Sequence, residues 1–155
     1  MRDLRTVLAA CLALILVNGT AAAQDIVYIM TLTGACKAQM IVGWDDCQAQ
    51  ATYSAFKNGK YTFQFVDKFN NTYALSGARN RQLDTSTMYS NIDTIVSTVD
   101  GKKAVDSQAM GGCNTKLSPD GEKFVYIDCA VSNSKKVLLK FRITNITDVQ
   151  RAFYQ

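Results

Sequence analysis

The chain has no histidine, one proline and, at Glu122, one glutamate among its 155 residues. Without histidine there is no Ser-His-Asp or Cys-His catalysis, no imidazole metal site and no histidine-based pH switch. With one glutamate, carboxylate-pair hydrolysis would have to rest on aspartates. Asp45 and Asp46 are adjacent, so on a strand they face opposite sides and cannot act together; they read as turn residues beside Cys47. The lone proline leaves no Pro-rich linker to divide the chain. No C-x-x-C motif is present, and no glycine-rich phosphate loop follows Gly111-Gly112, which reads as a bulge or a close backbone approach. No basic stripe is present either. Lys102-Lys103 and Lys135-Lys136 are short pairs near turns, and a nucleic-acid partner is not expected. These absences predict a chain that is not an enzyme and holds neither cofactor nor metal. A weak calcium site on Asp45, Asp46 or Asp128 would lack any EF-hand-like spacing.

What is present begins with a leader. MRDLR carries two arginines, TVLAACLALILVNG is apolar, and TAAAQ offers small residues for cleavage. This predicts a cleavable signal-peptide helix over 1–23 and a single exported domain over 24–155, periplasmic or secreted. The apolar run is too short for a stable membrane span. Leu8-Ala9-Ala10-Cys11 resembles a bacterial lipobox, but it sits in the middle of the apolar run and does not close it. Removing Arg2, Asp3 and Arg5 with the leader lowers the net charge from +4 to +3.

The mature chain reads as strands. IVYIMTLT (26–33) is β-branched and aromatic, and Asn58-Gly59 separates two alternating runs, predicting a type I′ hairpin. Tyr61, Phe63 and Phe65 share one face of the second run, where with Tyr28 they fill a core or line a cavity. The stretch 88–99 reads as one strand before the Asp100-Gly101 turn, followed by strands at 124–131 and 136–144. In the last, Val137, Leu139, Phe141 and Ile143 alternate with Leu138, Lys140, Arg142 and Thr144. The tail from Ile146 is expected to form a short helix capped by Thr147. The expected fold class is all-β: an antiparallel meander of seven or eight strands, closed as a small barrel or packed as a two-sheet sandwich.

Cleavage would leave four cysteines, Cys36, Cys47, Cys113 and Cys129, an even number that predicts two disulfides in an oxidising compartment. Of the three possible connectivities, Cys36–Cys47 with Cys113–Cys129 is favoured. Cys113 and Cys129 are placed symmetrically about Gly121 of a Pro-Asp-Gly turn, so a hairpin brings them opposite one another. Cys129 shares strand parity with Val125, Ile127 and Val131 and is expected on the apolar face. Trp44, the single tryptophan, is expected as a core plug against the first bridge; if exposed, it would be an interface anchor. Asn70-Asn71-Thr72 and Asn145-Ile146-Thr147 match glycosylation sequons, used only in a eukaryotic secretory pathway.

The segment 76–91 lacks clear alternation and reads as a polar loop over the β scaffold. Its Ser76, Arg79, Asn80 and Arg81, with Lys116, form the candidate binding loop, with arginines suited to a carboxylate or an acidic partner surface. Ser76-Gly77-Ala78-Arg79 is similar to the start of the S-G-x-x-Y motif of C-type lysozyme inhibitors, with Asn80 where the motif has tyrosine. Thr115-Lys116 resembles part of that family's second motif, with Leu117 in place of its glycine. The resemblance implies a small exported barrel whose loops block an acidic active-site cleft. The sequence thus predicts a non-catalytic exported domain that acts through surface binding to a protein partner or in a structural role. A periplasmic inhibitor of a glycan-cleaving enzyme and a barrel for a small apolar ligand are the alternatives.

Overall fold

The computed structural model describes residues 26–39, 43–120 and 123–154, with only the backbone of Arg79. The expected leader over 1–23, its Cys11, and Gly121-Glu122 lie outside the described residues. Every element is a strand: β1 (Ile26–Gln39), β2 (Asp45–Phe56), β3 (Tyr61–Asp67), β4 (Thr72–Gly77), β5 (Arg79–Gln82), β6 (Thr87–Ile92), β7 (Thr94–Val99), β8 (Lys102–Asp106), β9 (Met110–Leu117), β10 (Phe124–Ser132) and β11 (Leu138–Phe153). They form one antiparallel sheet in the order β5-β6-β9-β10-β11-β1-β2-β3-β4-β7-β8. The sheet curls into a half-barrel, and its concave face carries the core.

Eleven strands stand where seven or eight were expected, because long runs break at short kinks. The expected 88–99 strand divides at Asp93 into β6 and β7. The expected 76–91 loop is instead β5, a tip and β6: Arg79 pairs with Asn91 and Gln82 with Met88. This continues the register of β4 with β7, in which Thr72 meets Thr98 and Ser76 meets Thr94. Across the breaks the chain stays tied, since Asp93 N–H donates to Ser76 O at 3.0 Å and Ala109 N–H to Asp93 O at 3.1 Å. β6 therefore pairs with β9 on one flank and runs through Asp93 into β7, which pairs with β4.

The turns follow local chemistry, with one correction. At 57–59 only Gly59 has positive φ, so the loop is a three-residue turn closed by a left-handed glycine rather than type I′. The same Asp67–Asn71 and Asn133–Val137 bonding patterns place Asn70 and Lys136 in the left-handed position. Asp100 and Gly101 both have positive φ, as a type I′ turn requires.

Alternation sets the core. Tyr61, Phe63 and Phe65 are buried, and Phe65 stacks on Phe141 with ring centroids 4.7 Å apart. Tyr73 packs on the same Phe141 ring at 5.3 Å, so β3 and β4 meet β11 across the interior. Leu139, Phe141 and Ile143 point inward as expected, but Val137 lies in the turn before β11 and is exposed. Val125 is also exposed, because a register shift between Phe124 and Tyr126 reverses parity ahead of Ile127, Cys129 and Val131. The expected C-terminal helix is absent. β11 continues to Phe153 along β1, from Thr33↔Asp148 to Tyr28↔Phe153, so tertiary pairing overrides a weak capping signal.

Both favoured disulfides are formed. Cys36–Cys47 ties β1 to β2; Cys113 and Cys129 are direct cross-strand partners of β9 and β10 and are fully buried.

Candidate functional site

Trp44 is 43% exposed, so it does not plug the core. It stands just before β2, three residues from Cys47, whose bridge to Cys36 pins this corner to β1. The Arg142 guanidinium lies 5.5 Å from the Trp44 ring centroid and the Lys140 ammonium 6.0 Å from it. Lys140 and Arg142 are two apart on β11, so strand periodicity sends both outward beneath the indole. Arg142 also donates to the Asp128 carboxylate at 2.5 Å, which raises its already high pKa and keeps it charged at every accessible pH.

Cross-strand register extends this corner into a row on the convex face. Arg81 faces Tyr89, Tyr89 faces Asn114, Asn114 faces Asp128, Asp128 faces Arg142, and Arg142 faces Lys37. Lys37 meets Asp46 at 2.5 Å, which holds the Asp46 carboxyl below the usual carboxylate range. The Arg81 guanidinium lies 5.8 Å from the Tyr89 ring centroid. The row carries Arg81, Tyr89, Asn114, Asp128, Arg142 and Lys37 on rigid strands, with Trp44 at its Arg142 end, and Trp, Tyr and Arg are the residue types enriched in binding hot spots.

The predicted binding-loop residues divide between this face and purely structural work. Arg81 is in the row. Lys116 lies beside it on β9, where its ammonium donates to Thr87 Oγ1 at 3.1 Å and sits 3.9 Å from Asp84. Asp84 is pulled down to about 2, first by the Ser86 backbone N–H and also by Lys116. Arg79 and Asn80 occupy β5 backbone positions opposite Asn91 and Ser90. Asn80 also hydrogen-bonds the Tyr53 side chain, although burial dominates and pushes the Tyr53 hydroxyl pKa up. Ser76 is turned elsewhere and shares a 2.9 Å hydrogen bond with Thr62 on β3. Gly77 has a packing reason: a Cβ there would lie 1.8 Å from Asn91 O, the carbonyl that accepts the buried Tyr61 hydroxyl at 2.5 Å. The Ser76-Gly77 pair is thus accounted for by the β4–β5 kink.

Asp45, Asp46 and Asp128 are each ion-paired, to Lys68, Lys37 and Arg142, and among the described residues no three metal-ligating side chains cluster. No described helix is long and apolar enough to cross a membrane. The sequence did signal the exposed indole: Trp44 is flanked by Gly43 and two aspartates, residues that favour a solvated turn. Its cationic partners, 96 and 98 residues away, left no local trace. No protein-family model, curated protein or solved structure matches the chain.

Proposed function

We propose that the mature chain is an exported, non-catalytic binding protein whose contact face is the convex row centred on Trp44 and Arg142. The observation that carries this reading is the exposed indole held over two cations beside a disulfide. Such an anchor is pre-organised, so little ordering entropy opposes binding. The two disulfides fit an oxidising compartment. The interior aromatics pack on one another, which favours the surface over the interior as the place of recognition. The partner is a protein with an acidic, partly apolar surface. A photo-crosslinking residue at position 44 in the exporting cell should give a discrete adduct absent when the residue is at position 58, in the exposed β2–β3 turn. Equal labelling at both positions, or none, sinks the proposal.

A second reading is favoured by one observation: β5, β6 and β9 bring Arg81 and Lys116 to the same end of the sheet, around the 83–86 tip. That basic tip would suit inhibition of a glycan-cleaving enzyme with an acidic cleft. Purified wild type should then inhibit a muramidase, and Arg81→Ala and Lys116→Ala should abolish inhibition while the protein stays folded. A wild type without inhibition ends this reading.

A further inference from the structure

At the end of the half-barrel away from the β5–β6 tip, a cavity of about 480 Å³ opens between β7–β8 and the β10–β11 turn. Its size lies within the range of small-molecule sites. Tyr73, Ile95 and Leu139 line its inner part, each nearly buried and each continuous with the core. Its rim is polar, built from Asp106, Ser107, Ser134 and Lys135. Asp106 fastens the two walls. Its carboxylate accepts the Ser134 N–H and hydroxyl, both at 2.7 Å, and the Gln108 N–H at 3.0 Å. Those bonds, led by the Ser134 hydroxyl, depress the Asp106 pKa. The rim's single carboxylate is therefore already engaged by donors from both walls. Among the described residues the Lys135 ammonium makes no close ion pair or hydrogen bond, and it acts on Asp106 only as the weakest of the influences on that carboxyl. An apolar floor with a rim cation only weakly offset by Asp106, whose carboxylate is taken up by Ser134 and Gln108, selects a ligand with an apolar body and a single negative end.

We infer that this cavity is a second binding site, distinct from the Trp44 face, for a small amphipathic carboxylate. The hydrocarbon or ring rests on Tyr73, Ile95 and Leu139, and the carboxylate meets Lys135 with the Ser107 hydroxyl beside it, the Ser134 hydroxyl being committed to Asp106. A cationic amphiphile of the same length would leave its charge against Lys135 and is rejected.

Calorimetric titration of the mature protein with decanoate, below its micelle threshold, tests this. One-to-one saturation is expected, at least tenfold weakening in Lys135→Glu, and no binding of decyltrimethylammonium. Ala104→Trp, on the cavity wall, should block the site; Ser107→Phe serves if the first variant fails to melt cooperatively. Absence of decanoate binding overturns the site. Equal binding of decanoate and decanol, or unchanged affinity in Lys135→Glu, overturns the anionic ligand. Unchanged affinity in a folded cavity-filling variant overturns the location.

Discussion

Replacing Cys113 and Cys129 together by alanine removes a bridge whose cost can be compared with its twin's. On the chain-entropy account, a cross-link spanning 16 residues stabilises by about 3.1 kcal/mol, and one spanning 11 residues by about 2.8 kcal/mol. Entropy alone therefore makes the two bridges nearly equal, and burial separates them. Cys113 and Cys129 are both fully buried, between Ser90 on β6 and Phe141 on β11. Cys36 is buried as well, at 5% exposed, but Cys47 is only half-buried, so that bridge holds one buried sulfur against two. Losing two buried sulfurs adds about 1–2 kcal/mol of transfer and cavity cost on the β9–β10 side. The double alanine variant there should lose about 4–5 kcal/mol, and Cys36→Ala with Cys47→Ala, with one buried sulfur, about 3–4 kcal/mol. Urea unfolding at pH 7, with slopes compared to detect a changed denatured state, measures both. Equal losses, or a larger loss at the Cys36–Cys47 bridge, would refute the claim that burial separates them.

Ser90 Oγ and Thr115 Oγ1 are buried without a hydrogen-bond partner, so Ser90→Ala should stabilise by about 1 kcal/mol in the same assay; a loss of that size would show that a bound water satisfies the hydroxyl. Gly77→Ala drives a Cβ into the Asn91 carbonyl and should cost about 3 kcal/mol, with near-neutral behaviour refuting the close approach. Trp44→Ala should leave the urea midpoint almost unchanged, and wild-type Trp44 fluorescence should be quenched more by iodide than by caesium because Lys140 and Arg142 flank the ring; the opposite order would contradict that geometry. Asp84, held at about 2 against an ordinary 3.8, stays ionised in the fold where the unfolded chain takes up a proton. Its contribution to stability is full above pH 4 and is lost as pH falls toward 2, so Asp84→Asn should flatten that part of the melting-temperature profile.

The sequence by itself determined what depends on neighbours along the chain. Alternation placed Tyr61, Phe63 and Phe65 on one buried face, and symmetry about a turn paired Cys113 with Cys129. The turn at Asp100-Gly101 followed from residue type, although its type I′ form did not, since Asn58-Gly59 took a different turn. Local reasoning failed where partners distant in the chain decide the outcome. The tail after Asn145 carries a weak helix cap, yet its backbone groups pair with β1, more than a hundred residues earlier. Segment 76–91 lacks alternation because the β4–β5 kink and the 83–86 tip interrupt the strands within it. Of the candidate binding residues, Arg81 and Lys116 came together only through the register of β5, β6 and β9, while Ser76 turned to Thr62. The exposure of Trp44 was half legible in its Gly and Asp neighbours. Its setting over Arg142 and Lys140, like the meeting of Leu139 with Ile95 and Tyr73 around the cavity, exists only because β11 lies beside β1 and across from β4 and β7. A strand's periodicity tells which side chains share a face; only the curl of the sheet tells which faces meet.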